Sequence, residues 1–496
     1  QCGNSLIDDV EVAGEKAFHW QTAFPQVFAK GGFDVVIGNP PYGAKLNRNN
    51  IDYLYNNYSE AGLLAKLNDT YIAFYIVCLR NLLKKSGLMG FIAPNTWRLI
   101  ESGSIFRKFL LENHEILIIR QHLEKVFTDV TVDCDTVVIR NSKPKLDFNI
   151  DLIVTEVQQE ITNHTISNEL LLSQNFVNLH LKEEHYCLKR KIESLSQPVS
   201  DVLDIKNGVK PYEKGKGTPP QDSEIMKDKP FTSNTKLNND FIPLIGGSSF
   251  HRYVVLWDDD YFIKYGNWLA APRDPKIFSA PEKLIFRQTG DSLIGTYVNK
   301  KYIMRDNTHI ILSKSEDVDL KFSLGILNSK LSNFLYWTIN PEKGEALAQI
   351  KLFHLGMMRI PIANASQQEK IKMKVDNILD LFEKNNKSRT SFFKYSISVY
   401  KNKNPSRKLK NWYELSFADF IKELTKAINA TNKIRTKEAQ PPILELTKKD
   451  EFEWMELFES KKLEVQQLQQ NIKQTEQEID QMVYQLYDLT ADEIAI

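Results

Sequence analysis

Residues 33–43 read FDVVIGNPPYG. A run of strand-forming residues rises to Gly38 and is broken by Asn39-Pro40-Pro41-Tyr42. Consecutive prolines fix φ twice and remove two backbone donors, and each also restricts the residue before it. A buried strand that ends in such a turn holds an amide and a phenol in fixed directions. The Asn39 side chain both donates and accepts, while the Pro40 carbonyl accepts with no competing local donor. Together they suit the two hydrogens of a planar exocyclic amine. Two acceptors draw that amine toward sp³ geometry and free its lone pair for attack on an electrophile. Tyr42 can stack on the ring that bears the amine. Catalysis of this kind works by positioning and electrostatics and needs no group of shifted pKa. The plainer alternative is a turn-forming Asn before proline, with a packed turn aromatic after it.

Outward from the turn, residues 33–140 alternate strands and helices. Asp69–Lys85 has helical spacing (Tyr71, Phe74, Tyr75, Cys78, Leu79, Leu82, Leu83), with Lys84-Lys85 and Gly87 as its stop. Residues 87–94 read as a second buried strand, 104–111 as a helix, and 115–120 and 136–140 as further strands. The pattern predicts an α/β fold with a mostly parallel sheet. In such sheets function gathers at the carboxyl ends of strands. The turn sits at one such end and Ala93-Pro94-Asn95-Thr96-Trp97 at another. Asn95 also suits loop support and Trp97 the core. Residues 141–200 are polar and mixed, with a connecting helix over 182–194. From about Val202 to Pro361 short β-runs alternate with Gly, Pro and aromatics, as in a mixed or β-rich domain. Amphipathic helices follow over 369–384, 417–430 and 452–487. The last is either a partner-binding coiled coil or a helix packed on its own domain. The expected division is 1–150, 151–200, 201–364 and 365–496.

The 496 residues carry 64 Lys and Arg against 63 Asp and Glu, so whole-chain charge says nothing about nucleic acid. Any basic surface must come from local clustering. The four cysteines are scattered without a C-x-x-C pair, which points to a reducing, cytoplasmic compartment and no structural zinc. No apolar run is long enough to span a membrane. The start at Gln1, with no basic leader, suggests a piece of a longer protein.

Asn39-Pro40-Pro41-Tyr42 resembles the catalytic motif of the S-adenosylmethionine-dependent adenine-N6 DNA methyltransferases. The surrounding string is similar to their TaqI-type branch, which includes type IIG restriction–modification enzymes. YIAFYIVCLRNLLKKSGLMGFIAPNTW (71–97) resembles the helix, strand and loop after the motif. VFTDVTVDCDTVVIR (126–140) resembles a later motif whose aromatic stacks on a flipped base, a role that falls on Phe127. NGVKPY (207–212), LIFRQTGD (284–291) and LGILNSKL (324–331) resemble the target-recognition domain, and MVYQLYDLTADEI (482–494) a common ending. The resemblance implies a partial Rossmann-like methyltransferase sheet, a mixed α/β recognition domain and a C-terminal helical region. Asn39, Pro40 and Tyr42 would be catalytic, with Tyr42 and Phe127 stacking on the base. Flipping costs a few kcal/mol and aromatic stacking returns ~1–3 kcal/mol per base. The alternative for Phe127 is a core residue in a loop. For the cofactor, S-adenosylmethionine, the resemblance offers Asn39 and Asn4. Asn4 stands where the family places an acidic residue, and no glycine-bearing cofactor turn precedes Phe33. The front of the cofactor fold is therefore expected to be missing. Asp69 and Tyr71 open the helix beside the cofactor, where Asp69 also suits an N-cap.

The implied partner is double-stranded DNA, with an upstream nuclease domain or companion subunit as a further one and no membrane. Lys206, Lys210, Lys214 and Lys216 lie among glycines and suit phosphates. Lys264, Arg273, Lys276, Arg287, Gln288 and Arg305 follow. Arg273, Arg287 and Gln288 suit bidentate reading of base edges. Each alone also suits a surface or packing role. His309 more simply ends a strand than binds metal. Three rivals stand beside this reading: a catalytically inactive DNA-specificity subunit, a nuclease built on Asp201, Asp204 and Lys206, and an RNA or protein methyltransferase.

Overall fold

The computed structural model describes residues 3–42, 46–59, 70–124, 126–127, 133–157, 159–315, 317–340, 348–399, 405–444 and 446–496. Contacts divide the chain into two units, Gln1–Lys191 with Trp337–Pro341 and Ile496, and Ile192–Tyr336 with Glu342–Ala495.

The first unit is built on a six-stranded sheet: β1 (Phe33–Gly38), β2 (Leu83–Pro94), β3 (Glu115–His122), β4 (Cys134–Arg140), β5 (Asn149–Glu156) and β6 (Gln159–Ser167), in the order β1-β2-β4-β3-β5-β6. Only β1–β2 and β3–β5 are parallel, so the expected mostly parallel sheet is mixed. A parallel return needs a crossover of a dozen or more residues. The link from His122 to Cys134 is too short for one, and β4 enters antiparallel between β2 and β3. The sheet also runs past the expected boundary at 150. β5 and β6 occupy part of the segment expected to be a connector. β6 is an exposed polar edge, so it carries little apolar alternation to read.

β1 is the opposite edge. It was expected to be buried, but Val35 is 51% and Ile37 82% exposed. Apolar composition is shared by edge and interior strands, and nothing local separates them. Its start is fixed by Gly32, at φ +121°, where an added Cβ would lie 2.5 Å from the Leu82 carbonyl oxygen.

Helix α1 (Thr70–Val77) widens into a π turn over Cys78–Leu82 and passes directly into β2. Lys84 and Lys85, read as the helix stop, therefore lie in the strand. Asp69 lies outside the described residues. α1 is apolar nearly all round and correspondingly buried. Its Tyr71, Ile72, Tyr75 and Ile76 share one core with Met89, Phe91, Ile116, Ile119, Val137 and Ile139 of the sheet. Burial of such side chains contributes about 1.5–3 kcal/mol each. Two further helices follow β2, α2 (Thr96–Leu99) and α3 (Ser104–Asn113), and α4 (Glu183–Ser194) comes after the sheet.

The second unit combines a β-rich part with long helices. Leu203–Asn207, Thr308–Ser313, Lys283–Arg287 and Gly295–Val298 form an antiparallel sheet. A second sheet joins Ile303–Met304, Phe241–Ile245, Phe262–Lys264 and Thr232–Ser233. The helices are α5 (Ala365–Val399), α6 (Phe417–Lys437) and α7 (Lys448–Leu486). In α5, Ile371, Ile378, Asn385 and Phe392 are buried at seven-residue spacing. In α7, Phe458, Val465, Ile472 and Ile479 do the same. Lys374 Nζ bonds Glu478 at 2.6 Å and the Phe392 ring meets Phe458, so the pair is antiparallel. Of the two expectations for the last helix, packing on its own chain is the one observed.

Candidate functional site

β1 carries Asn39 to the end of the sheet, and three contacts hold the turn there. The Thr70 hydroxyl, at the start of α1, donates to the Pro41 carbonyl at 2.7 Å. The Tyr42 hydroxyl donates to the Ile92 carbonyl of β2 at 3.2 Å, and the Cys134 thiol reaches the same phenol oxygen at 3.9 Å. Pro40 is buried, while Asn39 is exposed. Among the described residues neither the Asn39 amide nor the Pro40 carbonyl has a hydrogen-bond partner. Two polar groups left without internal partners on a rigid turn are available to a ligand. Burial pushes the Tyr42 phenol well above its ordinary pKa, with Cys134 adding to the effect. Tyr42 is thus a neutral phenol whose hydroxyl donates to the Ile92 carbonyl. The Phe127 ring lies 6.3 Å from that of Tyr42, edge to face at 63°.

A cleft of about 240 Å³ opens beside the turn, lined by Ile37, Asn39, Pro40, Pro41, Phe74 and Phe91 among others. A second, of about 550 Å³, is lined by Asn4, Lys16, Asn50 and Thr70 and shares Pro41 and Phe74 with the first. Asn4 therefore falls next to the turn, where its side-chain oxygen accepts from the Leu6 amide at 3.2 Å. Among the described residues neither cleft is lined by a carboxylate. S-adenosylmethionine carries an ammonium group, and the described lining residues do not fit that part of it.

A buried ion pair missed in the sequence stands behind the turn. Arg98 on α2 meets Asp135 on β4 through two hydrogen bonds, of 2.5 and 3.1 Å. The guanidinium also donates to the Val177 carbonyl at 2.7 Å and to Gln121 at 3.3 Å. Burial alone would push the Asp135 carboxyl upward, and the bidentate guanidinium opposes it. Asp135 follows Cys134, which touches Tyr42. Arg98 closes the loop whose Thr96 hydroxyl bonds Tyr71 at 2.9 Å. The pair thereby ties both walls of the site together. Its only sequence signal is a charge inside each of two apolar runs, TWRLI and CDTVVI. Trp97 is core, as one alternative had it, and Asn95 is buried.

In the second unit, backbone contacts bring several DNA-contact candidates together. The Lys210 and Ala271 amides exchange hydrogen bonds of 3.0 Å, and the Val209 amide donates to the Met304 carbonyl at 2.7 Å. Arg273 Nε donates to the Gly208 carbonyl at 3.1 Å, and Arg305 follows Met304 with an exposed side chain. Gln288 joins through its amide, which bonds the Asn307 carbonyl at 3.0 Å. Lys276 is exposed on a short helix capped by Asp274. Local acids partner two of these, Glu213 with Lys210 at 2.8 Å and Asp306 with Arg305 at 3.5 Å. Glu213 raises the Lys210 pKa. The Arg287 guanidinium is half-buried over the Phe250 ring and donates to the Phe250 carbonyl through two of its five N–H groups. His309 is buried between Asn207 and the Ile350 carbonyl, a structural tie. Among the described residues no cluster of three metal-ligating side chains exists, and no helix is long and apolar enough to cross a membrane.

Three family models match this chain. Residues 2–127 match the Eco57I restriction-modification methylase, 242–362 the TaqI-like C-terminal specificity domain, and 364–483 a domain of unknown function. A putative type II restriction enzyme and methyltransferase from Methanocaldococcus jannaschii is 23% identical over 337 residues, covering 65% of this chain and 26% of that protein. The type II restriction enzyme and methyltransferase RM.Eco57I from Escherichia coli is 28% identical over 201 residues, covering 39% and 19%. Among solved structures, the type IIL restriction-modification enzyme MmeI in complex with DNA aligns with TM-score 0.45 at 12% identity, over 87% of this chain and 57% of that one. The chain carries a restriction–modification methylase domain followed by a specificity domain, and its curated relatives are type II restriction–modification methyltransferases. It spans about a quarter or less of the length of those relatives.

Proposed function

We propose that this chain supplies the target-base side and the sequence-reading part of an adenine-N6 DNA methyltransferase of a restriction–modification system. The observation that carries the proposal is the rigid turn whose Asn39 amide and Pro40 carbonyl are both unpartnered beside an open cleft. In this reading a flipped adenine stacks on Tyr42, and its amine donates one hydrogen to the Asn39 oxygen and one to the Pro40 carbonyl. Phe127 supports the base from the side once its edge moves off Tyr42. S-adenosylmethionine would supply the methyl group, with Asn4 and Asn39 on the clefts nearest to it. Among the described residues the clefts offer no carboxylate for its ammonium, so this chain alone is expected to bind it weakly. Lys210, Arg273, Lys276, Arg287, Gln288 and Arg305 contact the duplex, with Arg287 also anchored on the Phe250 carbonyl.

A second reading is an inactive specificity subunit, which described cleft linings without a carboxylate favour. Product analysis separates the two. The full protein is incubated with S-adenosylmethionine and a duplex library, and the DNA is digested to nucleosides. N6-methyl-2′-deoxyadenosine above background supports the proposal. Its absence, with duplex binding retained, leaves the specificity subunit.

A further inference from the structure

Helix α6 has two unlike faces. Phe420, Leu424, Ala427, Ile428 and Thr431 are buried, and Phe420, Leu424 and Ile428 share a core with Trp412, Trp454 and Phe458. Lys422, Lys426, Lys433 and Lys437 are all exposed. Their offsets of four, seven and four residues bring them within about 60° of arc, opposite the buried face and along about 22 Å of helix. The exposed positions among them, Asn429 and Thr436, are uncharged. The acids of this helix are already engaged: Asp419 with the Ser416 cap, and nearly buried Glu423 with the Ser406 hydroxyl and Lys426. Lys422, Lys433 and Lys437 have no ion pair among the described residues. Like charges four residues apart weaken a helix, so the stripe is not explained by helix stability. The surrounding segment, 405–449, carries ten Lys and Arg against five Asp and Glu in a chain of net charge +1. Arg407, Lys408 and Lys410 stand exposed on the preceding short helix, and the Lys408 charge acts on Glu423 beside the stripe.

We propose that this face is a sequence-independent contact for the phosphodiester backbone of duplex DNA. The proposal deepens the DNA reading above and rests on it. A duplex presents one charge per about 1.7 Å, and flexible lysines with Asn and Thr between them are the usual phosphate partners. Protein interfaces are depleted in Lys and centred on aromatic and Arg anchors, which the stripe lacks. An acidic protein partner is thus the less suited occupant.

The test is equilibrium binding of the full protein to a random-sequence duplex across a series of potassium chloride concentrations, by fluorescence anisotropy. Wild type is compared with a triple Lys422→Gln, Lys433→Gln, Lys437→Gln variant and with the same positions changed to Arg. The Gln variant is expected to bind at least about tenfold more weakly at low salt, with a salt slope shallower by roughly 2–3, and the Arg variant to restore both. A wild-type slope in a Gln variant of unchanged melting temperature overturns the proposal. So does competition by poly-glutamate as effective as by duplex, which would point to an acidic protein. If wild type binds no duplex at all, the DNA reading itself fails, a result distinct from either.

Discussion

At the scale of single residues, the site combines a free amide with a locked scaffold. The Arg98–Asp135 pair is the part of that scaffold most sensitive to change. Arg98→Ala strands a buried carboxylate and is expected to cost about 3–5 kcal/mol in chemical denaturation. A loss under 1 kcal/mol would show that the pair is not holding the site. Two histidines give the chain a pH signature. Burial lowers His114 to about 4 and His354 to about 4 from an ordinary value near 6.5. The unfolded chain therefore binds more protons between those values, so stability falls as pH drops from about 6.5 toward 4. Thermal midpoints measured across that range should decline, and His114→Gln with His354→Gln should flatten the decline. Much of the residue-level site was legible, because Asn-Pro-Pro-Tyr carries its own stiffness. Arg98 and Asp135 were not, since they meet across 37 positions of chain. Nor was the contact of Arg287 with the Phe250 carbonyl, which also crosses 37 positions of chain.

At the scale of elements, β1 and the α5–α7 pair show what local pattern conveys and what it omits. The amphipathic character of α5 and α7 is visible in the chain, but the seven-residue seam along which they pack, through Phe458 and Val465 in α7, shows only once the two helices are paired. Apolar β1 reads the same whether it lies inside a sheet or at an edge, and only the assembled order exposes Ile37. An exposed apolar edge promotes self-pairing. For this chain taken alone, Ile37→Thr should lower self-association in sedimentation velocity, and an unchanged distribution would mean the edge is already protected. Asn385 sits in the helical seam with a buried side-chain oxygen that lacks a partner among the described residues. Asn385→Leu should raise stability by about 1–3 kcal/mol. A loss would instead assign Asn385 to setting the register of the pair. Gly208 marks a close crossing, where an added Cβ would lie 2.1 Å from the Arg305 carbonyl oxygen. Gly208→Ala should push apart the segments that carry Lys210 and Arg305. Weaker duplex binding would register that displacement, whereas unaltered binding would remove these loops from the interface.

At the scale of the whole molecule, one unit bears the Asn39-Pro40-Pro41-Tyr42 turn and the other the basic loops and long helices. The specificity-domain match covers the basic loops from residue 242 onward, and the domain of unknown function covers α5, α6 and most of α7. Calorimetry of this chain with S-adenosylmethionine should give weak or undetectable binding. Micromolar affinity would mean that the described clefts suffice without a carboxylate. The central claim is that the Asn39 amide holds a target adenine's amine for methyl transfer. Single-turnover methylation and duplex affinity, measured together on the full protein and its Asn39→Ala variant, test it most directly. Methyl transfer should fall by about a hundredfold or more, with duplex affinity within about threefold of wild type. Equal loss of both, or undiminished transfer, would contradict it.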